Sequence, residues 1–153
     1  MDSGQLKYCI AISLIPGMGS VIAKNLIAYV GSPEAVFKEK KAKLLKIPKI
    51  GTQLAASIIN SNVLGKAEKE IEKCQKEGVQ IFSIFEKGYP EKLKMCDDAP
   101  LVFYYKGTEA PDRKKCLSIV GTRNSTERGR DICKMLCEGL KKHDPLIISG
   151  LAF

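Results

Sequence analysis

The sequence predicts an α/β protein in two parts, a bundle of short helices followed by the opening of a doubly wound sheet. Three observations predict it. Between Leu6 and Glu77 apolar residues recur at three- and four-residue spacing: Leu6, Cys9 and Ile10, then Val21, Ile22, Leu26 and Ile27, then Leu54, Ala55, Ile58 and Ile59. That period marks amphipathic helices. Past Gly78 short apolar runs take over at 79–84, 101–105, 117–120 and 146–148, and these read as strands. The last two runs flank a helix-compatible stretch, which makes a strand, crossover helix and parallel strand, the unit from which open α/β sheets are wound.

Within the helical part, residues 14–20 (Leu-Ile-Pro-Gly-Met-Gly-Ser) break one helix with Pro16 and Gly17, and Ser20 is placed to cap the next, expected over 21–29. Gly17 and Gly19 let the turn tuck Met18 inward while amides at the helix start face outward, where they can hold a phosphate oxygen. The order hydrophobic-Pro-Gly-hydrophobic-Gly resembles the helix-hairpin-helix motif of DNA-binding and repair proteins. The resemblance implies a backbone contact at Gly17 and Gly19, with Lys24 reaching a neighbouring phosphate. A looser copy, Leu44 to Ala55, follows about thirty residues later with Lys49 where the first glycine would stand, which narrows the approach to its amides. Two tandem hairpins also fold as one compact helical domain with no nucleic acid involved. A charged helix over 67–76 is stopped by Gly78.

The stretch 117–129, Leu-Ser-Ile-Val-Gly-Thr-Arg-Asn-Ser-Thr-Glu-Arg-Gly, has the layout of an anion site. Gly121 lets the backbone turn without a Cβ clash, so amides of Thr122, Arg123 and the next helix's first turn can face a phosphate. Arg123 adds a forked, permanently charged donor. The second strand ends in Ser149-Gly150, so two small-residue strand ends lie side by side at the carboxyl edge, where open α/β sheets bind ligands. Only Leu151, Ala152 and Phe153 follow, whereas sheets of this class hold about five or six strands. The chain therefore reads as the N-terminal part of a longer protein.

Composition narrows the partner. Lys and Arg outnumber Asp and Glu by 25 to 17, a net charge of +8, which suits either a polyanionic partner or an ordinary solvated surface. Residues 1–85 hold 12 basic and 7 acidic side chains (+5), and 86–153 hold 13 and 10 (+3), so the amino-terminal part is the more basic per residue. Cys9, Cys74, Cys96, Cys116, Cys133 and Cys137 contain no CxxC pair; Cys133 and Cys137, four apart on a predicted helix, have the spacing to seat a metal, but His143 is the only histidine and no metal is expected. No apolar run reaches membrane-spanning length, and the start lacks a secretory signal, which predicts a cytoplasmic protein.

Between the two parts lie Tyr89-Pro90-x-x-Leu93, then Ala99-Pro100 leading into an apolar run with Tyr104 and Lys106-Gly107. Together with Ile119-Val120-Gly121-Thr122-Arg123, Thr126, Gly129 and Ser149-Gly150-Leu151-Ala152, these resemble the DNA-processing DprA (Smf) family over nearly the whole chain. The ordered series of four motifs carries the resemblance far better than any one of them. It implies a sterile-alpha-motif-like helix-hairpin-helix domain over 1–78 and a truncated, extended Rossmann-like domain over 79–153. It also implies a single-stranded-DNA-binding protein without catalytic residues or cofactor, which protects incoming strands during natural transformation, helps load the RecA recombinase and forms a homodimer. The family's DNA pocket falls on Gly121, Thr122, Arg123, Thr126, Ser149 and Gly150. Arg128 stands where many members have Tyr, and a flat cation can still stack on a base while changing the salt dependence. Ser125 stands where alanine is frequent.

Two other function classes fit parts of the chain. A Gly-Thr-Arg turn after a strand can hold a nucleotide in a nucleotide-binding or nucleotide-hydrolysing Rossmann-like enzyme, although no Ser-His-Asp set or GxxxxGK[ST] loop supplies the chemistry. Asp97 and Asp98 read as a turn, and Glu127 and Asp131 as favourable charges at a helix start. A scaffold docking its basic bundle on an acidic protein is the third class. Phe103, Tyr104 and Tyr105 alternate on a strand, so at least one faces the core and another is free to stack.

Overall fold

The computed structural model describes residues 3–108 and 113–150. The chain divides into two compact units, Met1–Glu109 and Ala110–Phe153.

The first unit begins with six helices: α1 (Ser3–Ser13), α2 (Ser20–Val30), α3 (Pro33–Val36), α4 (Lys41–Leu44), α5 (Thr52–Asn60) and α6 (Val63–Glu77). β1 (Gln80–Ser83), the short α7 (Glu91–Lys94) and β2 (Val102–Tyr105) complete it. Helix α1 is the centre. Cys9, Ile10, Ala11 and Ile12 are all buried, and a helix covered all round needs neighbours on every side. Those neighbours are α2, α3, α6, β1 and β2. Burial pushes the Cys9 thiol up to about 12, and the Glu86 carboxylate adds to the rise. Gly31 (φ 95) and Gly78 (φ 67) end α2 and α6 in the left-handed conformation, as the sequence predicts for Gly78.

The hairpins repeat with an offset of 32 residues, from Pro16 to Pro48. In each, the amide after the turn's left-handed residue closes back on an isoleucine carbonyl: Met18 N–H donates to Ile15 O at 3.0 Å, and Ile50 N–H to Ile47 O at 3.2 Å. The residue before each of those amides has positive φ, 82° at Gly17 and 66° at Lys49. Lysine thus adopts the glycine conformation at a cost on the order of 1 kcal/mol, and the turn survives the missing glycine. The residue capping α2 is Gly19 rather than Ser20, which is the first residue of the helix itself. Gly51 has the same place before α5, and neither helix start receives a side-chain cap.

β1 and β2 pair antiparallel, with Gln80 opposite Tyr105 and Ser83 opposite Val102. They join the helices: Ile84, Tyr89, Ala99, Leu101 and Val102 belong to the same buried cluster as Ile10, Leu26 and Ile58. By packing, β1 and β2 go with the helices before them, because they bury their apolar face against α1 and α6, and the two compact units part after Glu109. The Tyr-Pro and Ala-Pro motifs act here as a clasp. Tyr89 is 2% exposed, and its hydroxyl donates to the Pro100 carbonyl at 2.7 Å. Gly88 (φ 104) is required at this bend, since a Cβ there would stand 2.9 Å from the Phe82 ring.

In the second unit β3 (Cys116–Ser118) runs into α8 (Glu127–Leu140), a single 3₁₀ turn (Lys141–His143) and β4 (Leu146–Ile148). β3 and β4 pair in parallel, so the expected strand–helix–strand unit is present. The strands of the two units form two separate two-stranded sheets among the described residues. An ion pair from Arg113 to Asp144 ties the chain ahead of β3 to the end of the 3₁₀ turn.

Candidate nucleic-acid interface

The parallel register places Ser118 opposite Ile148, and the ladder continues as Ile119 N–H donates to Ile148 O at 2.9 Å. The turn after β3 and Ser149-Gly150 after β4 consequently leave the pair at the same edge, because parallel strands end on the same side. Gly121, Thr122, Arg123, Thr126, Arg128, Ser149 and Gly150 are all exposed. The guanidinium groups of Arg123 and Arg128 make no hydrogen bond or ion pair among the described residues, so both forks are available to an anion.

The other side chains have internal work as well. Thr126 is the N-cap of α8, its hydroxyl oxygen accepting from Gly129 N–H at 3.1 Å. That bond uses an acceptor lone pair and leaves the O–H proton free to donate to a phosphate. Thr122 is the opposite case. Its hydroxyl donates to Asn124 O at 3.0 Å, so it stiffens the turn, and what it can offer an anion is its backbone amide. Sequence reasoning missed Arg130, whose guanidinium donates to Ser125 O at 3.0 Å and to Ser125 Oγ at 3.4 Å, bracing the turn from the first helical turn of α8. The signal was present as a third arginine within eight residues, at 123, 128 and 130, all flanking one helix start. Glu127 occupies the first turn of α8, beside the positive helix end.

In the first unit Gly17 and Gly19 are exposed. Lys24 is half-buried, and its ammonium donates to the Asp97 carbonyl at 2.5 Å, tying α2 to the turn before β2. The two hairpins stand next to each other: a cleft of about 410 Å³ is lined by Pro16 and Gly17 from the first and by Gly51, Gln53, Leu54 and Ser57 from the second. Among the aromatics of β2, Phe103 and Tyr105 stack on each other with centroids 6.5 Å apart. Tyr104 is 41% exposed, and burial together with the Glu70 carboxylate raises its hydroxyl to about 12. No group of His, Cys, Asp and Glu able to hold a metal occurs among the described residues, and no helix there is long and apolar enough to cross a membrane.

The chain joins a tandem of helix-hairpin-helix elements to a strand-ended Gly-Thr-Arg turn, and comparison with known sequences finds relatives for both parts. Residues 11–61 match the family described as SAM-like helix-hairpin-helix tandem, and residues 80–153 match the DNA recombination-mediator protein A family. The chain is 26% identical, over 99% of its length, to Protein Smf of Synechocystis sp., and 34% identical, over 51% of its length, to DNA processing protein DprA of Bacillus subtilis. These matches span 39% and 27% of the two relatives. Residues 80–153 are thus identified with the DprA/Smf family, and the chain as a whole is similar to a Smf protein.

Proposed function

We propose that this chain binds single-stranded DNA at the carboxyl edge of β3 and β4, in a protein that shields incoming strands during natural transformation and helps load the RecA recombinase. One observation carries the proposal: two unpartnered guanidinium groups, Arg123 and Arg128, flank a turn whose partner strand ends beside it in Ser149-Gly150. Such an edge tracks a phosphodiester chain. Amides of the turn and of Gly150 accept the approach of phosphate oxygens, Arg123 forks onto one phosphate, the Thr126 hydroxyl donates to another, and Arg128 lies flat against a base or a further phosphate. Contacts of this kind go to the backbone, so affinity depends on strand length and salt more than on sequence. Gly17 and Gly19 are the candidate backbone contacts of the first hairpin, while the ammonium of Lys24 serves α2 and contributes chiefly to stability. The protein acts by binding, without catalytic residues, and as a homodimer.

Fluorescence anisotropy with a labelled 30-nucleotide single strand tests this. Arg123→Ala is expected to weaken binding by about 1–3 kcal/mol, the range for a lost charged contact. Unchanged affinity in that variant removes the pocket assignment, and turnover of a nucleotide by the same preparation supports an enzyme instead.

A further inference from the structure

The glycine geometry of the two hairpins is best in the first, but the charge is on the second. Between residues 8 and 37 the only basic side chain is Lys24, which is already bonded to Asp97 O. The second hairpin carries Lys40, Lys41, Lys43, Lys46 and Lys49, with no acidic residue from 40 to 67. Its fold aims them outward. Leu44, Ile47 and Ile50, spaced by three, are buried, while every one of the five lysines is exposed. Lys43 pairs with Glu39, and the ammonium groups of Lys40, Lys41, Lys46 and Lys49 make no hydrogen bond or ion pair among the described residues.

We infer that Lys40, Lys41, Lys46 and Lys49 form a second polyphosphate-binding surface on the helical unit, one that engages the backbone of nucleic acid independently of the Gly-Thr-Arg turn. This inference rests on the nucleic-acid reading given above and adds a site to it. Four unpaired ammonium groups on one ten-residue segment repel one another, and a row of phosphodiesters at regular spacing relieves that repulsion while releasing condensed counterions. Lysine is suited to this use, since a compact charge on a flexible stem follows a backbone without demanding a fixed fork geometry. Lys49 carries the point furthest: it holds φ 66 where the matching position of the first hairpin is glycine, so the segment keeps a cation at a position whose backbone favours none.

The test uses the whole 153-residue chain, a 30-nucleotide single strand and the corresponding duplex, with affinity followed from 50 to 300 mM salt. K40Q/K41Q/K46Q/K49Q is expected to lose about tenfold or more in affinity and to flatten the log K against log salt plot by two to three. The quadruple arginine variant is expected to keep both. K49G is expected to bind less tightly with a melting temperature unchanged or raised, which separates charge from folding. The single-strand and duplex arms tell which form of backbone the surface prefers, and either preference supports it. Wild-type binding with affinity and slope unaltered in the quadruple glutamine variant overturns this surface and leaves the β3/β4 site standing. No binding by the wild-type chain to either probe overturns both. Equal displacement by poly-glutamate of matched charge also overturns it, in favour of an acidic protein partner.

Discussion

The two units are patterned alike and buried very differently. Every residue of the hydrophobic core lies between Cys9 and Val102, in the first unit. In the second, none of the described residues is buried, and Leu117, Val120, Ile132, Met135, Leu136, Ile147 and Ile148 are 39–87% exposed. Helix α8 and strands β3 and β4 have the apolar periodicity of core elements, yet a two-stranded sheet with one helix covers only one of its faces. Amphipathic pattern specifies an element and its inward face, whereas burial requires a second layer to receive that face. The groups proposed to bind an anion need no such layer, because they sit at a strand end and a helix start where local geometry alone presents them.

Substitutions sharpen this contrast. Leu26→Ala, at a fully buried position of α2, is expected to cost about 2–5 kcal/mol in urea unfolding followed by circular dichroism, while Leu136→Ala on the 51% exposed face of α8 stays within about 0.5 kcal/mol. Equal losses at the two positions break the comparison.

The alkaline limb is the next largest effect. The Cys9 thiol is raised from 9.0 to about 12, so above pH 9 the unfolded chain loses a proton that the folded one keeps. Stability is fully present below that pH and falls as pH rises toward 12, by up to about 1.4 kcal/mol per unit. Cys9→Val should flatten the fall whatever it costs at pH 7, and an unchanged slope between pH 9 and 11 refutes the assignment. The smallest pair compares the two clasps. Tyr89→Phe removes the bond to Pro100 O, and Thr126→Ala removes the α8 cap, each worth about 1 kcal/mol. Hydrogen exchange should report the first loss across the unit built on α1 and the second only in α8. Thr126→Ser should retain the cap.

Much of the site was legible because its parts are local. A strand, a Gly-Thr-Arg turn, a capping threonine and a helix are contiguous, and the parallel return to Ser149-Gly150 follows from the length of a crossover helix. The hairpin repeat was legible for the same reason, since Ile-Pro-x-hydrophobic-Gly recurs at 15–19 and 47–51. What escaped the sequence joins residues far apart or depends on a single torsion. Lys24 finds a carbonyl 73 residues away, and the hydroxyl of Tyr89 finds Pro100 only once β1 and β2 have paired. The packing of β1 and β2 on the helices before them escaped too, because it depends on burial against residues far away in the chain.

By itself the amino-acid order determined the element types, the duplicated hairpin, the strand–helix–strand unit and the residues proposed to meet a phosphate, all of which rest on short-range periodicity and turn chemistry. Only the tertiary structure decided which cations remain free, that Lys49 takes a glycine's conformation, and that β1 and β2 belong to the helical core. Those outcomes depend on which surfaces meet, and surfaces meet through contacts between residues that no local pattern relates.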